Sequence, residues 1–108
     1  MADKKYSLSY LPLFYDDLEE HVIYISEVLC NLDAANDLLD SVEAAILKRL
    51  PNAESYEPYH SKNKRKYPYY RIYVKNYTIY YVVIPDGDKK IMEVRRILHN
   101  LQDRDRYI

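Results

Sequence analysis

Hydrophobic and polar residues alternate along two neighbouring stretches in the second half of the chain. The first stretch covers residues 69–75 and the second covers residues 78–83. Alternation with a period of two, rich in β-branched and aromatic residues, is typical of strands that cover a core on one face. Lys75 and Asn76 lie between the stretches, and asparagine tolerates the left-handed backbone that a tight turn needs. We therefore predict a β-hairpin that carries Arg71 on its face away from the core.

The first half of the chain repeats its apolar residues every three or four positions, which is the period of an amphipathic helix. One such stripe follows Pro12 and a second ends before Pro51, with Asn31 between them as a candidate helix cap. The stripes consist of Phe14, Leu18, Val22, Ile25 and Leu29, and of Ala35, Leu38, Leu39, Val42, Ala45, Ile46 and Leu50. Because few residues join the stripes, they predict an antiparallel helical hairpin.

Shorter alternating stretches at residues 6–10 and 89–98 complete the predicted elements, and residues 52–68 fit neither period. The predicted order is β-α-α-β-β-β, an α+β fold in which a two-helix N-terminal hairpin packs on a small antiparallel sheet. A chain of 108 residues has room for one core, so we expect a single domain over residues 1–108. Leu39 is assigned to that core, and its replacement by alanine is expected to cost about 2–5 kcal/mol.

The net charge of −1 conceals an uneven distribution. Residues 1–57 hold four basic and twelve acidic residues, a net −8, whereas residues 58–108 hold twelve and five, a net +7. No acidic residue lies between Pro58 and Pro85. A basic segment of this kind favours a polyanionic partner, nucleic acid first. The alternative is a solvated loop that balances the acidic helices.

The composition also bears on the cellular location of the protein. No stretch has the roughly 18 uncharged apolar residues of a membrane-spanning helix, so no membrane partner is expected. The single cysteine, Cys30, cannot form an internal disulfide. Both observations predict a cytoplasmic protein.

Three strings carry a resemblance to a known family, namely SYLPLFYDDLEEHVIYI, YYRIYVKNYTIYYVV and VRRILHNLQDRD. They resemble the RelE/ParE superfamily of bacterial toxins from type II toxin–antitoxin modules, and the resemblance covers residues 6–107. It implies a small antitoxin protein as partner and no metal or cofactor. It further implies a metal-independent endoribonuclease that cuts mRNA on the ribosome. The alternatives are a ParE-like inhibitor of DNA gyrase without nuclease activity, and an inactive homologue that acts through its antitoxin complex.

Cleavage of RNA without a metal requires deprotonation of the 2′-hydroxyl, stabilisation of the phosphate charge and protonation of the 5′-oxygen. The resemblance implies Glu57 as the base, Arg71 as the phosphate clamp, His99 as the general acid and Tyr107 as a residue that orients the nucleotide. Each residue also has an alternative role. These roles are a loop carboxylate for Glu57, a cross-strand ion pair with Glu93 for Arg71, a strand-end contact for His99, and terminal packing for Tyr107.

A wider set of basic and aromatic residues is predicted to bind RNA. It comprises Lys62, Lys64, Arg65, Lys66, Tyr73, Lys75 and Arg96. Tyrosines on the sheet are suited to stacking against bases, although they also suit the cover of a small sheet.

One departure from the superfamily lies close to the predicted catalytic residue His99. Leu101 stands where an arginine is usual, and the next basic residue is Arg104.

Overall fold

The computed structural model describes residues 5–63 and 65–108. Its elements are β1 (Tyr6–Tyr10), α1 (Pro12–Ile23), α2 (Leu32–Arg49), β2 (Tyr70–Val74), β3 (Tyr77–Asp86) and β4 (Lys89–His99). A π-helical turn at Tyr24–Val28 follows α1, and 3-10 turns lie at Leu50–Asn52 and Arg104–Arg106. The predicted order and the α+β class are therefore confirmed. Within the described residues, no helix combines the length and the apolar character needed to cross a membrane.

The sheet is mixed, which corrects the prediction that it is wholly antiparallel. Its strand order is β1-β4-β3-β2, and β2, β3 and β4 pair antiparallel. β1 runs parallel to β4, with Tyr6 opposite Lys90 and Tyr10 opposite Val94. Parallel neighbours need a long crossover connection instead of a hairpin turn. The helical hairpin provides the first part of that crossover.

Helix α1 covers the part of the β4 edge that lies beyond β1. The Asp17 carboxylate accepts a hydrogen bond of 3.1 Å from the backbone N–H of Ile97. His21 Nε2 lies 2.8 Å from the Ile97 carbonyl oxygen, and it must be the donor because a carbonyl only accepts. Asp17 and His21 are four residues apart, so they project from one face of the helix. Two side chains of α1 thus replace the backbone groups of a neighbouring strand.

The same carboxylate forms an ion pair with Arg96. The guanidinium donates two hydrogen bonds of 2.7 Å to the two oxygens of Asp17. Asp17 is buried, and the paired geometry is the strong form of this interaction. Between β3 and β4, Tyr80 lies opposite Arg96 while Tyr81 lies opposite Val94, so Arg95 is an extra residue of β4 that forms a β-bulge. The bulge explains the imperfect alternation of this strand.

The structure confirms the predicted helix cap and the position of the β2–β3 turn, but not the residue with positive φ in that turn. Asn31 caps α2 as predicted, because its side chain accepts a hydrogen bond of 3.0 Å from the Ala34 N–H. The β2–β3 turn lies where it was expected, but Lys75 adopts the positive φ of 53°, not Asn76. Cys30, at the tip of the helical hairpin, has a φ of 52° and is exposed.

The core between helices and sheet contains most of the predicted apolar stripes, with Leu39 and Leu29 as exceptions. Leu38 is only 1% exposed, whereas Leu39 is 39% exposed, so the assignment of Leu39 to the core is wrong. Successive helical residues are turned by about 100°, and the buried positions of α2 are Ala35, Leu38, Val42 and Ile46. Leu29, which follows the π-helical turn, is exposed as well.

A second apolar cluster covers the sheet face opposite the helices. Its buried members are Tyr69, Tyr80, Val82, Leu98 and Ile108. Tyr59 and Tyr67, from the irregular connection, pack against it. The face that carries Arg71 is therefore partly covered by the connection and by the last residues of the chain.

Because Leu38 and not Leu39 is buried, truncation of Leu38 should cause the loss of stability that was predicted for Leu39. We expect Leu38→Ala to lower the free energy of unfolding by about 2–5 kcal/mol, because it leaves a cavity in the core. Leu39→Ala is the matched control and should change it by less than about 1 kcal/mol. Urea denaturation followed by circular dichroism measures both, and equal losses in the two variants would contradict this packing.

Loss of the buried Asp17 carboxylate should be among the most damaging single changes in α1. Asp17→Ala leaves the Arg96 guanidinium and the Ile97 N–H without their partner, at an expected cost of about 3–5 kcal/mol. Asp16→Ala, at the exposed neighbouring position, should stay within about 0.5 kcal/mol of the parent protein. A small effect of Asp17→Ala in the same denaturation experiment would show that the β4 edge does not depend on this contact.

Candidate nucleic-acid site

Two of the four predicted catalytic residues line one cavity. It has a volume of about 220 Å³ and lies where β2 ends and β4 ends, on the sheet face opposite the helices. We call it the arginine cavity. Its lining residues are Arg71, Tyr73, Thr78, Tyr80, Leu98, His99, Asn100, Gln102 and Arg104. None of these residues is acidic, so the cavity presents cationic and neutral hydrogen-bonding groups.

Arg71 is held by aromatic rings instead of a carboxylate. Its guanidinium carbon lies 4.5 Å from the centre of the Tyr59 ring and 5.8 Å from that of Tyr73. The alternative ion pair with Glu93 does not form. Glu93 belongs to β4, which is not a neighbour of β2, and it pairs with Arg95 at 3.3 Å.

Arg104 is the functional candidate that the sequence did not single out. It lies in the 3-10 turn after β4, and its guanidinium carbon is 4.8 Å from the centre of the Tyr59 ring. Burial raises the pKa of the Tyr80 hydroxyl, an effect that the charge of Arg104 opposes. The signal for Arg104 was its place as the first basic residue after Leu101, whose side chain is 90% exposed.

The turn after β4 fixes the orientation of His99. The Leu101 N–H donates to His99 Nδ1 at 3.1 Å, and the His99 N–H donates to Gln102 Oε1 at 2.6 Å. On the adjacent strand, the Thr78 hydroxyl donates to Asn100 Oδ1 at 2.7 Å. Since a backbone N–H only donates, Nδ1 carries the lone pair and the neutral ring has its proton on Nε2.

The other two predicted catalytic residues lie outside the cavity. Glu57 is exposed, in the connection between α2 and β2, and does not line the cavity. The Tyr107 ring lies 5.0 Å from the guanidinium carbon of Arg96 and is 36% exposed. The structure therefore brings together Arg71 and His99, adds Arg104, and leaves Glu57 and Tyr107 apart from them.

The predicted RNA-binding residues divide into three groups. Tyr73 lines the cavity and is 66% exposed. Lys62, Arg65 and Lys66 are exposed on the connection, where Arg65 Nε donates to the Ile108 oxygen at 2.9 Å; Lys64 lies outside the described residues. Lys75 and Arg96 form ion pairs, with Asp37 at 2.9 Å and with Asp17 at 2.7 Å respectively.

The comparison with known families agrees with this fold. Residues 8–104 match the family described as the ParE toxin of the type II toxin–antitoxin system, parDE. The chain belongs to this family, and it is therefore the toxin of a type II toxin–antitoxin module. Such a module implies an antitoxin partner. No curated protein matches the chain.

The hydrogen bond to Nδ1 gives a direct test of the His99 assignment. In the neutral form, the imidazole proton should be on Nε2, and long-range ¹H–¹⁵N correlation spectra distinguish the two tautomers. His21 is the internal comparison, because its bond to the Ile97 carbonyl also requires a proton on Nε2. A neutral His99 with its proton on Nδ1 would be inconsistent with the turn as described.

Proposed function

We propose that this toxin is a metal-independent, ribosome-dependent endoribonuclease that acts on mRNA. The observation that supports it is the convergence of Arg71, Arg104 and His99 in one cavity without a carboxylate. Guanidinium groups bind phosphate through paired donors. A cavity of this chemistry suits a phosphodiester better than a neutral or cationic ligand.

The chemistry that we propose is attack by the 2′-hydroxyl oxygen on the adjacent phosphorus, with breakage of the bond to the 5′-oxygen. Negative charge grows on the phosphoryl oxygens in the transition state, where Arg71 and Arg104 would stabilise it. Electrostatic stabilisation of this kind is often the largest single contribution to catalysis. It does not require either arginine to gain or lose a proton.

His99 would donate a hydrogen bond from Nε2 to the reacting phosphate. To deliver a whole proton to the 5′-oxygen, the ring must first be protonated on Nδ1, which ends the hydrogen bond with the Leu101 N–H. The 2′-hydroxyl proton would pass to a basic oxygen of the ribosome, such as a phosphate oxygen of its RNA, because Glu57 does not line the cavity. Dependence on the ribosome follows if the ribosome supplies that group.

A second candidate function is inhibition of DNA gyrase without chemistry. The exposed position of Glu57 favours it, because the proposed nuclease then lacks its base. The description of the family matched by residues 8–104 also names the ParE toxin. In the sequence analysis, the ParE-like alternative was the one directed at DNA gyrase. This function would use a protein-binding surface in place of the arginine cavity.

We also propose that an acidic segment of the antitoxin covers the arginine cavity and the exposed Arg65. Residues 58–108 carry a net charge of +7, and complementary charges accelerate association at low salt. Cover of this surface would keep the toxin inactive until the antitoxin is removed.

Substitution of Arg71 distinguishes the nuclease function from gyrase inhibition. Arg71→Ala should lower ribosome-dependent mRNA cleavage by about a hundredfold or more, because it removes a group that stabilises transition-state charge. Lys89→Ala is the control and should cut normally, because Lys89 is a basic residue at the start of β4, at the opposite end of this strand from His99. Mapping of mRNA 5′ ends after expression measures both.

The companion variant His99→Gln should retain ribosome binding and lose most cleavage, because an amide donates a hydrogen bond but no titratable proton. If growth arrest persists in Arg71→Ala and His99→Gln while mRNA stays intact and gyrase-dependent DNA breaks accumulate, the gyrase function replaces the nuclease.

A further inference from the structure

The ring of Tyr59 contacts both arginines of the cavity. The guanidinium carbons of Arg71 and Arg104 are 4.5 Å and 4.8 Å from the centre of its ring. Neither arginine has a carboxylate oxygen within 4.0 Å in the part of the chain that the structure describes. Two like charges therefore share one aromatic ring instead of being neutralised by an anion.

The backbone of Tyr59 is fixed to the sheet although the residue belongs to the irregular connection. Tyr59 and Tyr69 form an isolated antiparallel bridge, with hydrogen bonds of 2.6 Å and 3.0 Å between their backbone groups. Tyr69 is buried, with its ring edge against Tyr80 at 5.9 Å. Tyr59 is thus an anchored platform, and its ring position is set by the sheet.

An aromatic face attracts a guanidinium through the negative charge of its π-system. A shared ring offsets part of the repulsion between two arginines and restricts both side chains before any ligand binds. Prior restriction matters because a long side chain otherwise loses its freedom at the moment of binding. The unneutralised pair is then available for an anion with more than one charged group.

We propose that Tyr59 is a positioning residue that holds Arg71 and Arg104 as a pair, and that this pair binds the phosphodiester backbone of single-stranded RNA. The inference rests on the proposed function for the identity of the ligand. Tyr59 itself touches neither the phosphate nor the reacting atoms. It acts through the two guanidinium groups.

The test compares ring removal with hydroxyl removal. The probe is a short single-stranded RNA with 2′-O-methyl riboses, which cannot be cleaved by 2′-hydroxyl attack. Tyr59→Phe keeps the ring and should bind like the parent protein. Tyr59→Leu should lose about tenfold in affinity, and Tyr15→Leu, at an exposed tyrosine of α1, is the control. Equal affinities for Tyr59→Leu and the parent protein would overturn the proposal.

The salt dependence of RNA binding distinguishes a positioning role of Tyr59 from a loss of protein stability in the variant. Each phosphate contact contributes roughly 0.7 to the slope of log affinity against log salt for single strands. The slope should fall by about that amount in Tyr59→Leu and stay unchanged in Tyr59→Phe. An unchanged slope in Tyr59→Leu would mean that both arginines still reach the RNA without the ring, and would contradict the proposal.

A measurement on the parent protein does not depend on the folding of any variant. Inorganic phosphate is titrated while the side-chain Nε–Hε resonances are followed in ¹H–¹⁵N spectra. The resonances of Arg71 and Arg104 should shift with one common midpoint. Movement of only one arginine, or of neither, would overturn the paired site. RNA binding without cleavage on ribosomes would instead remove the nuclease function and leave the role of Tyr59 standing.

Discussion

The carboxylate of Asp17 is the contact on which the end of the sheet depends. β4 continues past the last residue of β1, and an uncovered strand edge is a site for unwanted pairing. Asp17 accepts hydrogen bonds from the Ile97 N–H and from Nε and Nη2 of Arg96. The helix is thereby held against the strand at the position from which His99 and the following turn enter the cavity.

Part of the uneven charge of the sequence is used in ion pairs that join the two halves of the chain. Three of the four ion pairs within the described residues join an acidic residue of the first half to a basic residue of the second. They place Asp17, Asp37 and Glu54 against Arg96, Lys75 and Lys90. Of these three basic residues, only Lys75 belongs to the basic segment between Pro58 and Pro85, whereas Lys90 and Arg96 belong to β4. Arg71 and Arg104 are the arginines of the cavity that these ion pairs leave unneutralised.

The sequence was sufficient for the elements that depend on local periodicity. The order of helices and strands, the Asn31 cap and the β2–β3 hairpin follow from residue spacing alone. The distinction between Leu38 and Leu39 did not, because both lie near the apolar stripe and tertiary packing decides between them. The parallel pairing of β1 and the cover of the second sheet face by Ile108 involve residues distant in sequence. The same holds for the site. The family resemblance pointed to Arg71 and His99. Arg104 reaches the cavity through the turn after β4, and the connection brings Tyr59 against the two arginines, which residue spacing does not reveal.

The parallel pairing of β1 with β4 has a consequence for the order of events during synthesis. The Asp17–Ile97 contact joins residues 80 positions apart, and contacts of such high sequence separation form slowly because a long loop must close first. While the ribosome is still making the hairpin, β1 and α1 have no partner strand to join. The finished sheet, and with it the cavity at its end, assembles only after β4 has left the exit tunnel. Any function that depends on the cavity is therefore absent from the nascent chain until β4 has paired with β3.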